Sequence, residues 1–143
     1  MSFTKISRNI GFVLLVSLSM NVFAANNSST HPDNDKYVYT QDKENIVVNA
    51  DHPEFTLKLE SNPSTGYAWF LREYDADIIQ PVKRVFRKNE KKLLGAPGSE
   101  FWTFRIKSAG FVVPQLTTLR MVYTRPWQGA ESSTQLLFHV TTQ

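Results

Sequence analysis

Along Phe55-Thr56-Leu57-Lys58-Leu59-Glu60 an apolar side chain stands at every second position. That period of two predicts a strand with one buried and one wet face. Gln135-Leu136-Leu137-Phe138-His139-Val140 repeats the pattern, placing Leu136, Phe138 and Val140 together. β-Branched and aromatic runs at 46–48, 67–71, 82–86, 101–106 and 116–123 predict five further strands. Gly, Pro, Asn and Asp punctuate them at 49–53, 62–63, 95–98, 109–110 and 125–126. Only 73–80 leaves room for a short helical turn. Short strands at this spacing predict an all-β fold, a sandwich of two sheets with about seven to eight strands.

Before Tyr37 the pattern is different. Lys5 and Arg8 precede an apolar run from Ile10 to Met20, and Val22-Phe23-Ala24 puts small residues ahead of Ala25. This is the layout of a secretory signal peptide over residues 1–24. The apolar run is about half of the roughly 20 residues that span a bilayer, so no stable membrane insertion is expected after cleavage. Residues 25–36 are polar and rich in Asn, Ser and Asp, a flexible leader with little to bury. Asn26 and Asn27 each open a glycosylation sequon, of consequence only in a eukaryotic host. The expected folded body is therefore 37–143, and it is expected outside the cytosol, secreted or periplasmic.

Composition narrows the function. The chain of 143 residues has no cysteine, which removes disulfides, thiolate metal sites and a cysteine nucleophile. Its formal charge is +3. Without Lys5 and Arg8, 14 basic residues face 13 acidic ones, a charge of +1. A body so near neutrality lacks the footprint of a nucleic-acid binder.

Catalytic chemistry finds no foothold. His31 lies in the leader, His52 in a turn before Pro53, and His139 on the outer side of a strand. None has metal-site spacing, and no G-x-S-x-G elbow is present. Asp75 and Asp77 read as turn or capping residues. Neither an enzyme, a metal nor a cofactor is expected. The basic run Lys83, Arg84, Arg87, Lys88, Lys91 and Lys92 reads first as an edge strand protected against aggregation, and second as a steering surface for an acidic partner.

Three loops stand apart. In Asn62-Pro63-Ser64-Thr65-Gly66-Tyr67 a proline fixes one backbone angle, Gly66 permits a positive one, and Asn62 can brace the turn. The tip is expected to be stiff, with two small hydroxyls at its crest. Gly95-Ala96-Pro97-Gly98 is nearly bare backbone that another protein can approach closely. Arg125-Pro126-Trp127 lifts a large aromatic beside a cation, the composition of a binding hot spot.

In this order the loops resemble the chagasin-like inhibitors of papain-type cysteine proteases. That family carries an N-P-T-T-G-[YF] loop, a G-x-G-G-like loop and an R-P-W loop on an immunoglobulin-like sandwich. The resemblance covers about residues 45 to 141. Ser64 stands where the family usually has Thr, and Pro97 replaces a flexible Gly. The stretch from Gly110 to Arg125, with Phe111-Val112-Val113-Pro114-Gln115, looks several residues longer than usual.

The resemblance implies a monomer that blocks a papain-like cysteine protease reversibly and tightly. It implies that Asn62, Pro63, Ser64, Thr65, Gly66 and Tyr67 cover the catalytic cysteine, with Ser64 and Thr65 nearest. Gly95, Ala96, Pro97 and Gly98 would run along the non-primed side. Trp127, lifted by Pro126, would lie against an aromatic surface near the catalytic histidine, with Arg125 fixing the loop or reaching a rim carboxylate. Two other readings use the same sandwich: an adhesion or carbohydrate-binding module, and a chaperone-like or structural periplasmic domain.

Overall fold

A computed structural model describes residues 36–89, 96–128 and 133–143; the expected signal peptide and almost all of the expected leader lie outside them. Among the described residues eight strands form: β1 (Val38–Thr40), β2 (Asn45–Val48), β3 (Glu54–Ser61), β4 (Ala68–Tyr74), β5 (Ile79–Arg87), β6 (Gly98–Ile106), β7 (Leu116–Thr124) and β8 (Thr134–Thr142). They build two four-stranded sheets, ordered β1-β3-β6-β5 and β2-β8-β7-β4. The all-β sandwich expected from the alternation is the fold observed.

The period of two places the core. Phe55, Leu57 and Leu59 of β3 join Ile79 of β5 and Phe104 and Ile106 of β6 from the first sheet. Ile46, Val48, Trp69, Leu119, Met121, Phe138 and Val140 face them from the second. Each such side chain contributes about 1.5–3 kcal/mol on leaving water. Phe55 and Phe104 stack with centroids 5.4 Å apart, tying β3 to β6 through their inner faces. His139 alternates out of this core between buried Phe138 and Val140, and exposed His52 lies 4.9 Å from the Tyr37 ring.

Several boundaries differ from the sequence expectation. β1 is an additional strand, paired parallel to β3. β4 continues to Tyr74 and β5 begins at Ile79, so the helical turn expected over 73–80 shrinks to 75–78. There the amides of Ile78 and Ile79 both donate to the Asp75 carbonyl, and the Asp77 amide donates to Asp75 Oδ1. Asp75 is thus a turn cap. Tyr67 sits in the connection just before β4. The long stretch after Gly110 leaves the strand register alone: β7 pairs with β8 without a break from Leu116↔Thr141 to Tyr123↔Thr134. Its length is taken up by a 3-10 turn at Ser108–Phe111 and the residues that follow.

β5 is an edge strand of the first sheet, as its basic residues suggested. Lys91 and Lys92 lie outside the described residues. No described helix is long and apolar enough to cross a membrane, and no group of acidic or histidine side chains among the described residues could hold a metal ion.

Candidate functional site

Strand register brings the three singled-out loops to one pole. β3 ends at Ser61, which pairs with Gly98 at the start of β6. β4 begins at Ala68, which pairs with Thr124 at the end of β7. The connection 62–67 therefore crosses from the first sheet to the second. The described ends of the β5–β6 connection flank it on one side, and those of the β7–β8 connection on the other.

The central connection is a closed turn. Pro63–Thr65 form a 3-10 turn that ends at Gly66, whose φ of 80° is left-handed. An L-residue in that region costs about 1–2 kcal/mol, so glycine is what lets the turn close. The Thr65 amide donates to the Asn62 carbonyl at 3.1 Å and the Gly66 amide to the Pro63 carbonyl at 3.0 Å. The two hydroxyls turn inward rather than standing free at the crest. Ser64 Oγ donates to Asn62 Oδ1 at 2.5 Å, and Thr65 Oγ1 donates to the Asn62 carbonyl at 2.6 Å. Asn62 braces the turn through its side chain, as expected, by accepting from Ser64.

The third connection is built onto the first. Arg125 Nε donates to the Thr65 carbonyl at 3.0 Å, while its guanidinium lies 4.6 Å from the centre of the Tyr67 ring. Tyr67 stacks on Tyr123 at 5.3 Å, and Tyr123 packs on Trp69 at 5.0 Å. The Tyr123 hydroxyl accepts the Asn62 amide at 2.8 Å, fixing where the central connection leaves β3. Trp127 lies over Gly66 so closely that a Cβ there would stand 3.1 Å from its Cη2. Even so, Trp127 is 72% exposed. Pro63, Ser64, Thr65, Pro126 and Trp127 thus make one exposed ridge, stiffened by Gly66, Tyr67 and Arg125 behind it.

The second connection is seated differently. Gly95 lies outside the described residues, Ala96 is half-buried and Pro97 exposed. Gly98 is buried under Phe86, and a Cβ there would fall 2.6 Å from the Phe86 ring and 2.5 Å from the Arg87 carbonyl. Its missing side chain serves packing between β5 and β6, so among the described residues of this connection the part open to a partner is Ala96-Pro97.

Beneath this pole lies a charged group that sequence reasoning missed. Glu100 is 2% exposed and faces the interior. Its Oε1 accepts from Ser61 Oγ at 2.7 Å; its Oε2 accepts from Arg84 Nε at 2.9 Å and Trp102 Nε1 at 3.1 Å. Arg84 Nη2 closes the ion pair at 2.9 Å. The carboxylate thereby ties edge strand β5 to the residue that precedes Asn62. Its only sequence signal is a carboxylate at an inward position of an alternating strand. Tyr123 and Gln128 were missed too; the Tyr67 hydroxyl lies 3.4 Å from Gln128 Oε1.

Comparison with known proteins bears on the family and the fold. Residues 50–142 match the model of the chagasin family peptidase inhibitor I42. The chain is 35% identical to chagasin of Trypanosoma cruzi over 77 residues, covering 51% of this chain and 66% of that protein, just under two thirds of its length. Among solved structures, the cysteine protease inhibitor EhICP2 of Entamoeba histolytica superposes with a TM-score of 0.61 at 20% identity, over 75% of this chain and 95% of that one. Amebosin does so with a TM-score of 0.57 at 17% identity, over 74% and 96%. At such identities the structures bear on the fold alone, and the family follows from the match over residues 50–142, which takes in β3 to β8 and all three connections. The chain belongs to the chagasin family of peptidase inhibitors.

Proposed function

We propose that the protein inhibits papain-like cysteine proteases reversibly, as a monomer, by inserting the three connections of this pole into the active-site cleft. The observation that carries this reading is the ridge itself. Trp127 is exposed yet held over Gly66, next to a turn whose polar groups are bonded within the protein.

Three physical consequences favour blocking over cleavage. Proteases act on extended backbone, and Pro63–Thr65 are wound into a 3-10 turn whose unwinding would break the bonds to Asn62. The ridge is ordered before it docks, so little conformational entropy remains to be lost. Trp127 supplies the large desolvated aromatic surface on which tight interfaces concentrate their energy. In this arrangement 62–67 covers the catalytic cysteine, Ala96-Pro97 runs along the non-primed side, and Trp127 meets the surface near the catalytic histidine. Export through residues 1–24 belongs to the same proposal, and is supported by their basic and apolar layout.

The test is prolonged incubation of residues 25–143 with papain, followed by progress curves and intact-mass spectrometry. Reversible inhibition with an uncut chain is expected. A cut between Asn62 and Tyr67 that accompanies loss of inhibition would overturn the blocking mechanism.

A further inference from the structure

The basic side chains on and beside the first sheet are not absorbed by the inhibitory ridge, and they separate into two kinds. Arg84 is consumed by Glu100, and Arg105 pairs with Glu54. Lys58, Arg87 and Lys88 have no carboxylate at ion-pair distance among the described residues, although all three are exposed. They share an open depression on the outer face of the first sheet with Glu60, Pro97 and Phe101. Phe101 organises it. The Arg87 guanidinium lies 4.8 Å from the centre of its ring and the Lys58 ammonium 6.0 Å. Arg87 and Lys58 stand on strands that flank β6, so their spacing is set by sheet register and not by a loop.

We propose that Lys58, Arg87 and Lys88 form a second docking surface that takes carboxylates on the rim of the target protease, beside the non-primed cleft. The inference rests on the inhibitor reading and adds a selection among papain-like enzymes. Position favours this occupant: Pro97, which enters the non-primed side in that reading, also lines the depression. An enzyme docked on Pro97 overhangs the cations. Charge favours it as well, because among the described residues three cations without an ion-pair partner face one carboxylate, Glu60. Long side chains in water hold a partner weakly, but they draw an opposite charge from about a Debye length, roughly 8–10 Å at physiological salt. The surface therefore acts on association more than on dissociation.

The experiment measures association and dissociation rates by stopped-flow against a papain-like protease with an acidic non-primed rim. The same measurements are made on a version of that protease with those acids changed to Lys. The inhibitor variants are Lys58→Glu/Arg87→Glu/Lys88→Glu and the milder triple change to Gln. A control with equal net charge carries Lys36→Glu/Lys43→Glu/Arg72→Glu, away from the depression. The triple Glu variant should associate about tenfold more slowly at low salt, the Gln variant by less, and the gap should close to about twofold at 0.5 M salt. The control should lose much less, and the rim-reversed protease should invert the order. Equal losses in the control and the triple variant, or a loss that salt does not relieve, would overturn the docking surface while leaving the inhibitor reading intact. A wild-type protein that inhibits neither protease would overturn both.

Discussion

Trp127→Ala together with Gly66→Ala separates what the ridge contributes to binding from what it costs to build. Trp127 is 72% exposed. A tryptophan presents roughly 250 Å² at most, so about 180 Å² is open to a partner, worth at most about 4–5 kcal/mol at about 25 cal/mol per Å². Covering half of it on docking gives about 2 kcal/mol, or roughly 30-fold in the inhibition constant. The loss should fall on dissociation, with an unchanged melting temperature, because the indole belongs to no core cluster. Gly66→Ala acts by two routes. The left-handed φ of 80° penalises alanine by about 1–2 kcal/mol, in the free and bound protein alike, so that part lowers stability and leaves affinity alone. The new Cβ would stand 3.1 Å from Trp127 Cη2, which displaces the indole and weakens inhibition. Once Trp127 is alanine, the displacement has nothing left to act on. The two changes should therefore be non-additive in inhibition, with a coupling of about 0.5 kcal/mol or more, and additive in stability. The assay is a four-member cycle of inhibition constants beside four urea melts. Additive effects on inhibition, or a fall of less than about fivefold for Trp127→Ala, would refute the packing argument.

Three further outcomes follow from the fold. Glu100→Ala removes the acceptor for Ser61, Arg84 and Trp102 and should cost about 2–4 kcal/mol in urea denaturation; Glu100→Gln, which keeps an acceptor, should cost less. Gly98→Ala forces a Cβ to within 2.5 Å of the Arg87 carbonyl and should destabilise by about 2 kcal/mol or more, visible as a lower denaturation midpoint. With no cysteine in the chain, the melting temperature of the free inhibitor should be the same with and without dithiothreitol, and a substantial drop would contradict a sandwich held by its core alone.

The strands were legible where one face is buried. Phe55, Leu57 and Leu59 alternate with wet residues, and so do Phe138 and Val140, because the sandwich has one apolar interior. β1 escaped because Val38, Tyr39 and Thr40 are all half-buried and show no alternation. The hydroxyls of Ser64 and Thr65 were legible as residues of the tip, but their direction depends on a 3-10 turn that brings both within reach of Asn62. Glu100 was hidden for a different reason. Its partners Ser61 and Arg84 stand 39 and 16 residues away, and only sheet register joins them. Gly98 looked like bare backbone for a partner to approach, and register instead placed Phe86 over it.

The most direct measurement titrates residues 25–143 against papain and trypsin with fluorogenic substrates. If the ridge acts as proposed, the protein should inhibit papain and leave trypsin untouched at the same concentrations. Equal potency on both enzymes, or none on papain-like enzymes at all, would contradict the account.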